Sequence, residues 1–566
     1  MTTATPTGAR VRPPREGRSN GQWLIDGTKP LNPNEEFKAA DNGLNVRERI
    51  EQIYSKQGFA SIEHDDLHGR MRWWGLYTQR KQGIDGARTA QMSADELSDE
   101  YFMMRVRTDG GALTLEQLRT VAQISVDFAR DTADISDRQN IQLHWIRIED
   151  VPEIWRRLEA VGLQTTEACG DTPRVILGSP VAGIAADEII DPTSAIREIV
   201  ETFIGDPEIS NLPRKFKSAI TGHPSLDVVH EINDISLVGV VHPELGPGYD
   251  LWVGGGLSTA PRLAERLGAF VAPEQTAEVW HGVVRIFRDY GYRRLRNKAR
   301  LKFLLADWGP EKFRRVLQDQ YLGYELPDGP AAVADGSPSD HVGVHEQKDG
   351  KLYVGLAPIV GRSSGSALLT LADAAEAAGS GRIRLTPHQK LVVLDVDPAR
   401  VDGLLEAAEG IGLTASPGAF RRHTMACTGI EFCKLAFVDT KNTATKTALE
   451  LDARLDGIQI GAPITLNVNG CPNSCARIQT ADIGLKGQVA KSADGDEFAF
   501  QVHLGGGLAS SGRDEAGLGR TVRGLKVTAK ELTDYVERVT RRFAEDRAGD
   551  ESFASWAHRA DEEALR

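Results

Sequence analysis

Cysteine is scarce in this chain, and several other extremes of composition are missing with it. Five cysteines in 566 residues, four of them close together, exclude a secreted disulfide framework and point to metal in a reducing compartment. No apolar run is long enough to cross a bilayer. The opening Met-Thr-Thr-Ala-Thr-Pro continues into Gly-, Arg- and Pro-rich sequence without the apolar core of a signal peptide. A cytoplasmic setting is expected, with no membrane association. Positive charge is in deficit, at a formal balance of −13, which argues against a nucleic-acid partner while leaving room for local basic patches. The triple glycines at Gly254–Gly256 and Gly505–Gly507 do not open a helix as G-x-G-x-x-G, so a dinucleotide site is not expected. Close packing of strands is the expected use of these glycines.

The chain is long enough for roughly three or four domain-sized units, and its 40% hydrophobic content suits a globular protein. Four cysteines fall in two short elements. Ala426-Cys427-Thr428-Gly429-Ile430-Glu431-Phe432-Cys433 is followed by Asn469-Gly470-Cys471-Pro472-Asn473-Ser474-Cys475, with 37 residues between Cys433 and Cys471. The C-x5-C and C-x3-C spacings are neither the C-x2-C knuckle usual for structural zinc nor the run of a bacterial ferredoxin. Four thiolates can hold a 4Fe-4S cluster, but spacing alone leaves a zinc site or plain buried thiols open.

An internal repeat organises the rest. Phe102 to Arg107 reads as a strand, and Leu118, Val121, Ile124 and Phe128 follow at helical spacing behind a Thr114-x-x-Gln117 capping box. Asp137 to Gln142 leads into a second strand and a helix ending at Gly162-Leu163. The order returns with a strand at Val354 to Ile359, a helix at Leu368 to Ala378, and Pro387-His388-Gln389-Lys390 before the next strand. Thr221-Gly222-His223-Pro224 matches Asn469-Gly470-Cys471-Pro472, and twelve residues after each glycine comes Asp234-Ile235 or Asp482-Ile483. Two copies of an α+β unit are expected, each closing in helices, over about 273–320 and 528–566. Before them, residues 45–57 read as a short helix. The aromatic and cationic segment Met71 to Arg80 either packs over a cofactor or caps a core edge.

The cysteine elements, the duplicated halves and Leu212-Pro213-Arg214-Lys215-Phe216-Lys217 together resemble the sirohaem and 4Fe-4S sulfite and nitrite reductases, nearest to the ferredoxin-dependent, single-chain actinobacterial type. The resemblance covers almost everything beyond residue 40. It implies an α+β, pseudo-twofold fold: a loose arm over 1–40, a wrapping segment over 41–100, ferredoxin-like half-domains over 101–165 and 343–415, larger α+β domains over 166–326 and 416–566, and a linker over 327–342. It implies that Cys427, Cys433, Cys471 and Cys475 hold the cluster and that Cys475 bridges it to the sirohaem iron. Arg105, Arg174, Lys215 and Lys217 are then the cations for sulfite, and Arg138, Gln139 and Gln142 line the sirohaem. Arg384, His388 and Lys390 are repeat counterparts that serve the cofactor or only the fold. His144 and His223 are expected to be hydrogen-bonded structural residues. Cys169, the pseudo-symmetric partner of the Cys427 site, is expected beside Tyr77 along the sulfite channel, with a thioether between them as a further possibility.

The implied activity is six-electron reduction of sulfite to sulfide by a monomer that takes electrons from ferredoxin. A ferredoxin-dependent nitrite reductase is the near alternative and a non-catalytic metal-binding protein the remote one. An acidic donor needs a basic patch on this acidic chain. Arg293, Arg294, Arg296, Lys298, Arg300 and Lys302 form one candidate, and Arg421, Arg422 and Lys434 the other.

Overall fold

The computed structural model describes residues 32–492, 495–509 and 517–566. Its two halves repeat one design. In the first larger domain the strands Pro173–Gly178, Phe216–Thr221 and Ile235–His242 run parallel, and Gly246–Val253 and Glu265–Val271 continue the sheet antiparallel. The second larger domain has the same order and directions through Thr424–Ala426, Leu466–Asn469, Ile483–Ser492, Gly495–Leu504 and Arg520–Thr528. Each sheet buries one face against its own C-terminal helices, chiefly Thr276–Tyr290 in one case and Leu532–Asp546 in the other.

The middle glycine of each triplet marks a close backbone approach. A Cβ at Gly255 would lie 2.4 Å from the Glu231 carbonyl, and one at Gly506 would lie 2.5 Å from that of Gln479. Both clash distances forbid any side chain, so the glycines serve packing, as their sequence context suggests.

The ferredoxin-like halves are built differently, because they share a core. The strands Leu76–Arg80, Ser98–Val106, Ile141–Ile146 and Asp134–Ile135 form one antiparallel sheet, and Gly343–Glu346, Leu352–Leu356, Leu391–Val396 and Arg382–Leu385 form its twin. Ala112–Thr114, a strand of the first half, pairs with Arg382–Leu385 of the second. The helices Leu115–Phe128 and Gly365–Ala377 bury Leu118, Val121, Leu368 and Leu371 in one cluster common to both halves. The Thr114–Gln117 capping box is present.

The N-terminal segment differs from a wholly loose arm. Residues 1–31 lie outside the described residues, but Pro33–Ala40 is a helix capped by the Asn32 side chain. It docks through buried Phe37, and Lys38 lies 2.6 Å from Glu35 and 3.2 Å from Asp171. Glu35 in turn meets Arg293 at 3.1 Å. Residues 43–57 form a helical run of successive 3-10, α and π turns. No helix among the described residues is long and apolar enough to cross a membrane.

Candidate active site

The parallel pairing of Thr424–Ala426 with Leu466–Asn469 sets two strand ends side by side, and a cysteine follows closely on each. Cys427 N–H donates to the Val468 carbonyl (3.0 Å), and Gly470 N–H donates to the Cys427 sulfur (3.2 Å). Asn469 fixes the second loop, donating to the Cys471 carbonyl (2.6 Å) and accepting from Ala476 N–H (3.0 Å). Cys433 closes the Gly429–Glu431 turn through its N–H to the Gly429 carbonyl (2.9 Å). Burial and then the neighbouring Cys475 sulfur raise the Cys427 thiol to about 12, and the same two causes raise Cys433 and Cys471. Three thiols raised in this way beside a fourth sulfur need a cation among them to ionise. No three of them bring their sulfurs within 4.8 Å of one another. A single zinc, with bonds of about 2.3 Å, would require that spacing. The arrangement fits a cage around a larger iron–sulfur cluster instead.

Facing these loops is a basket of cations. In the segment Lys215 to Lys217 the pleat buries Phe216 in the core and turns both lysines to the other face. Neither ammonium has a hydrogen bond or ion pair among the described residues. Burial first, then neighbouring cations, drops Lys215 well below the usual lysine range and Lys217 to about 7. Arg138 is lowered to about 9 mainly by burial, and it donates to Asn233 Oδ1 (2.6 Å) and the Val175 carbonyl (2.7 Å). Arg105 donates through Nη1 to the Cys169 sulfur (3.2 Å), while its buried Nε has no partner. Arg174 is braced by the Gly170 carbonyl (2.7 and 3.0 Å). The Cys475 sulfur acts electrostatically on both Lys217 and Arg105, so the basket opens onto the cysteine loops. Half-buried cations of this number, none paired with a carboxylate among the described residues, call for a polyanionic occupant.

The sequence matches the nitrite and sulphite reductase 4Fe-4S domain over residues 169–326 and 417–566, and the nitrite/sulfite reductase ferredoxin-like half domain over 95–161 and 345–411. This chain belongs to the nitrite and sulphite reductase family. It is 57% identical, over the full length of both chains, to sulfite reductase [ferredoxin] 2 of Mycolicibacterium paratuberculosis and to sulfite reductase [ferredoxin] of Mycobacterium tuberculosis H37Rv. An assimilatory ferredoxin-dependent nitrite reductase of Haloferax mediterranei is 37% identical over 92% of this chain and 90% of its own. The solved structure of the Mycobacterium tuberculosis NirA protein superposes with a TM-score of 0.94 at 58% identity, covering 97% of this chain and all of that one.

Within this family fold the remaining expected residues fall into distinct places. Tyr77 is half-buried, and its phenol is raised first by burial and then by the Cys169 thiol, against the pull of Arg174, Arg72 and Arg105. Gln142 sits opposite Arg105 in the strand register. Gln139 is fully buried, and its amide donates to the carbonyls of Gly178 (2.9 Å) and Leu385 (2.7 Å) and accepts from Gly178 N–H (2.9 Å). It ties the two halves together, a positioning part rather than a surface offered to a cofactor. Its counterpart Gln389 does the same for Ala426, directly before Cys427. Arg384 donates to the Ala182 carbonyl (2.7 Å) and serves the fold. Lys390 donates to the His388 carbonyl (3.1 Å), and His388 keeps a buried Nε2 without a partner.

His223 is hydrogen-bonded as expected, to Ser225 (2.8 Å). His144 stacks on Phe432 with ring centroids 3.7 Å apart, and its Nε2 faces Asp134 Oδ2 at 3.7 Å, longer than a hydrogen bond.

Both candidate basic patches are partly engaged in contacts within the chain. In the run Arg293 to Lys302, tertiary contacts engage four of the six cations, while Arg294 and Lys298 stay exposed. Arg293 pairs with Glu35, Arg296 with Asp171 and Arg300 with Asp234, and Lys302 donates to three carbonyls. In the second candidate, Arg422 pairs with Asp340, Arg421 donates to the Gly412 and Ala357 carbonyls, and Lys434 donates to Thr78 and Ser98. Sequence reasoning also missed Arg477, two residues past Cys475, whose buried Nε is unpartnered 4.0 Å from Asp137. Its position next to the cysteine motif was the available signal.

Proposed function

We propose that this chain is a ferredoxin-dependent sulfite reductase, reducing sulfite to sulfide at sirohaem coupled to a 4Fe-4S cluster. The observation that carries the reading is the meeting of the four-cysteine loops with a half-buried set of cations that lack carboxylate partners. Cys427, Cys433, Cys471 and Cys475 would hold the cluster, with Cys475 also on the sirohaem side, since its sulfur is the one felt by Lys217 and Arg105. Arg138, Gln142 and the orphaned nitrogens of Arg105 and Arg477 would receive carboxylates of sirohaem. The bound pair supplies the one-electron chemistry needed for a six-electron reduction.

The chain's own residues do the rest. Arg105 and Arg174, braced by Cys169 and Gly170, orient the sulfite oxygens and balance their charge. Lys215 and Lys217 supply two further positive groups whose burial without an anion is costly, so substrate binding relieves their mutual repulsion. Lys217, brought to about 7, is suited to pass a proton to an oxygen leaving as water and to recover it from solvent. Tyr77 and Cys169 line the approach to this site.

Sulfite is favoured over nitrite because the relatives named for sulfite are 57% identical over full length, whereas the Haloferax relative named for nitrite is 37% identical. An absorption spectrum of the purified holoenzyme tests the cofactor assignment. Tetrapyrrole bands are expected, and a colourless protein, or a brown one with only iron–sulfur absorption, would contradict it.

A further inference from the structure

The loop that presents Cys471 and Cys475 has a twin in the first half. Gly222-His223-Pro224-Ser225-Leu226-Asp227 and Gly470-Cys471-Pro472-Asn473-Ser474-Cys475 each follow the second strand of their sheet. Both loops pass through left-handed backbone at the same two non-glycine positions, Leu226 (φ 54°) and Val229 (φ 52°) in one, Ser474 (φ 56°) and Arg477 (φ 56°) in the other. Each is closed by an aspartate that accepts a backbone N–H, Asp234 from Lys217 (2.8 Å) and Asp482 from Thr465 (3.0 Å). His223 therefore occupies the place of Cys471, and Asp227 the place of Cys475.

A third donor reaches this position from the linker between the halves. His341 Nε2 lies 2.8 Å from Asp227 Oδ2, and its ring stands edge-on to that of His223 with centroids 5.1 Å apart. One donor atom from each of His223, Asp227 and His341 lies within 4.8 Å of the other two, and all three residues are buried. Asp187 Oδ1 comes within 3.4 Å of His223 Nε2 from the rim, with 57% of its side chain exposed, which gives the cluster a side open to solvent. Ser179 and Thr221 hydroxyls each donate to Asp227 at 2.7 Å, and Ser225 Oγ is 2.8 Å from His223 Nδ1. These are the outer contacts that orient ligating carboxylates and imidazoles.

We propose that His223, Asp227 and His341, with Asp187 completing the set, bind one divalent transition-metal ion of the zinc class where the other half carries two of its cluster cysteines. Two imidazoles and two carboxylates match the borderline N/O preference of such an ion and neutralise its charge. Bonds of about 2.0–2.2 Å place donors roughly 3.3 Å apart, which small side-chain rotations reach from the present spacing. On binding, His341 gives up to solvent the Nε2 proton it shares with Asp227 and takes one from solvent on Nδ1, and His223 ligates through Nε2 as the tautomer protonated on Nδ1, which donates to Ser225 Oγ in place of the Ser225 N–H it accepts at 3.2 Å. The ion would pin the linker residue His341 to the first half without entering the redox chemistry.

The test uses the holoenzyme, cleared of loosely held metal and titrated with Zn2+ against a chromophoric chelator. One equivalent is expected to bind, at least about tenfold more weakly in His341→Ala and Asp227→Asn and unchanged in His64→Ala. A crystal soaked in Zn2+ and measured at the zinc absorption edge gives a readout free of any mutant's folding, with an anomalous peak expected between His223, Asp227 and His341. Absence of that peak at excess Zn2+ would overturn the site. So would loss of the bound equivalent in His64→Ala, because it would assign the metal to the exposed His64, His68 and Asp95 group instead. Neither measurement depends on sulfite turnover, so the proposal fails or stands apart from the reductase reading.

Discussion

Glu167 offers a quantitative test of how this site is built, because the chain buries its carboxyl two residues before Cys169 without a cation paired to it among the described residues. The residue is wholly inaccessible, in left-handed backbone (φ 55°), and Oε2 accepts from Gly205 N–H at 3.0 Å while Oε1 has no partner. Burial raises its pKa to about 8, against smaller opposing effects of Gly205 and Arg107. Arg107 cannot compensate fully, since it already pairs with Asp109 at 2.7 Å. A carboxyl raised from its ordinary value of 4.5 is equally protonated in folded and unfolded chains at low pH. As pH rises above 4.5 the unfolded chain ionises first, so folding stability falls by about 1.4 kcal/mol per pH unit until the folded carboxyl ionises near 8. The accumulated loss is roughly 3 kcal/mol at neutral pH. Glu167→Gln removes this dependence and adds a pH-independent cost of about 1–3 kcal/mol for an amide N–H without an acceptor. Urea unfolding of both proteins across about pH 5 to 8 separates the two effects. The wild type minus variant stability should decline with pH by most of that slope. Parallel pH profiles, or a variant that declines faster, would refute the assignment of a neutral buried Glu167.

Other perturbations probe the site directly. Cys475→Ser should abolish magnetic coupling between cluster and haem iron together with sulfite turnover, since a hydroxyl is a poor bridge between iron centres. Retained coupling would remove Cys475 from the bridge. Lys217→Ala should keep both cofactors yet lower sulfite turnover at least tenfold, about 1.4 kcal/mol of transition-state stabilisation, and loss of sirohaem absorption instead would make the lysine structural. Tyr77 and Cys169 should be found in contact in a crystal structure of the holoenzyme, and peptide mapping will report a thioether as one fused fragment. Gly365→Ala should cost about 1–3 kcal/mol by forcing a Cβ to within 2.4 Å of the Ala122 carbonyl where the two central helices cross. A thermal midpoint equal to wild type would contradict that packing.

Much of this molecule was legible because duplication wrote it twice. The capping box at Thr114, the alternation of Lys215 and Lys217 about Phe216, and the matched loops after Thr221 and Asn469 depend on local spacing, which sequence displays directly. What escaped depends on partners far along the chain. The run from Arg293 to Lys302 looks like a solvated basic face until Glu35, Asp171 and Asp234 arrive from other elements. Gln139 reads as a cofactor ligand until Leu385, of the opposite half, takes its amide hydrogen. The crossing of Ala112–Thr114 into the other half's sheet has no local signal at all. A buried imidazole such as His144 is expected to have polar partners, but that Asp134 faces its Nε2 and Phe432 covers its ring depends on the tertiary fold.

The most direct measurement is steady-state turnover of the holoenzyme with reduced ferredoxin on sulfite and on nitrite, with sulfide and ammonia quantified as products. A ferredoxin-dependent sulfite reductase should release one sulfide for every six ferredoxins oxidised and show the larger kcat/KM on sulfite. Ferredoxin oxidation without sulfide, or a larger kcat/KM on nitrite, would contradict it.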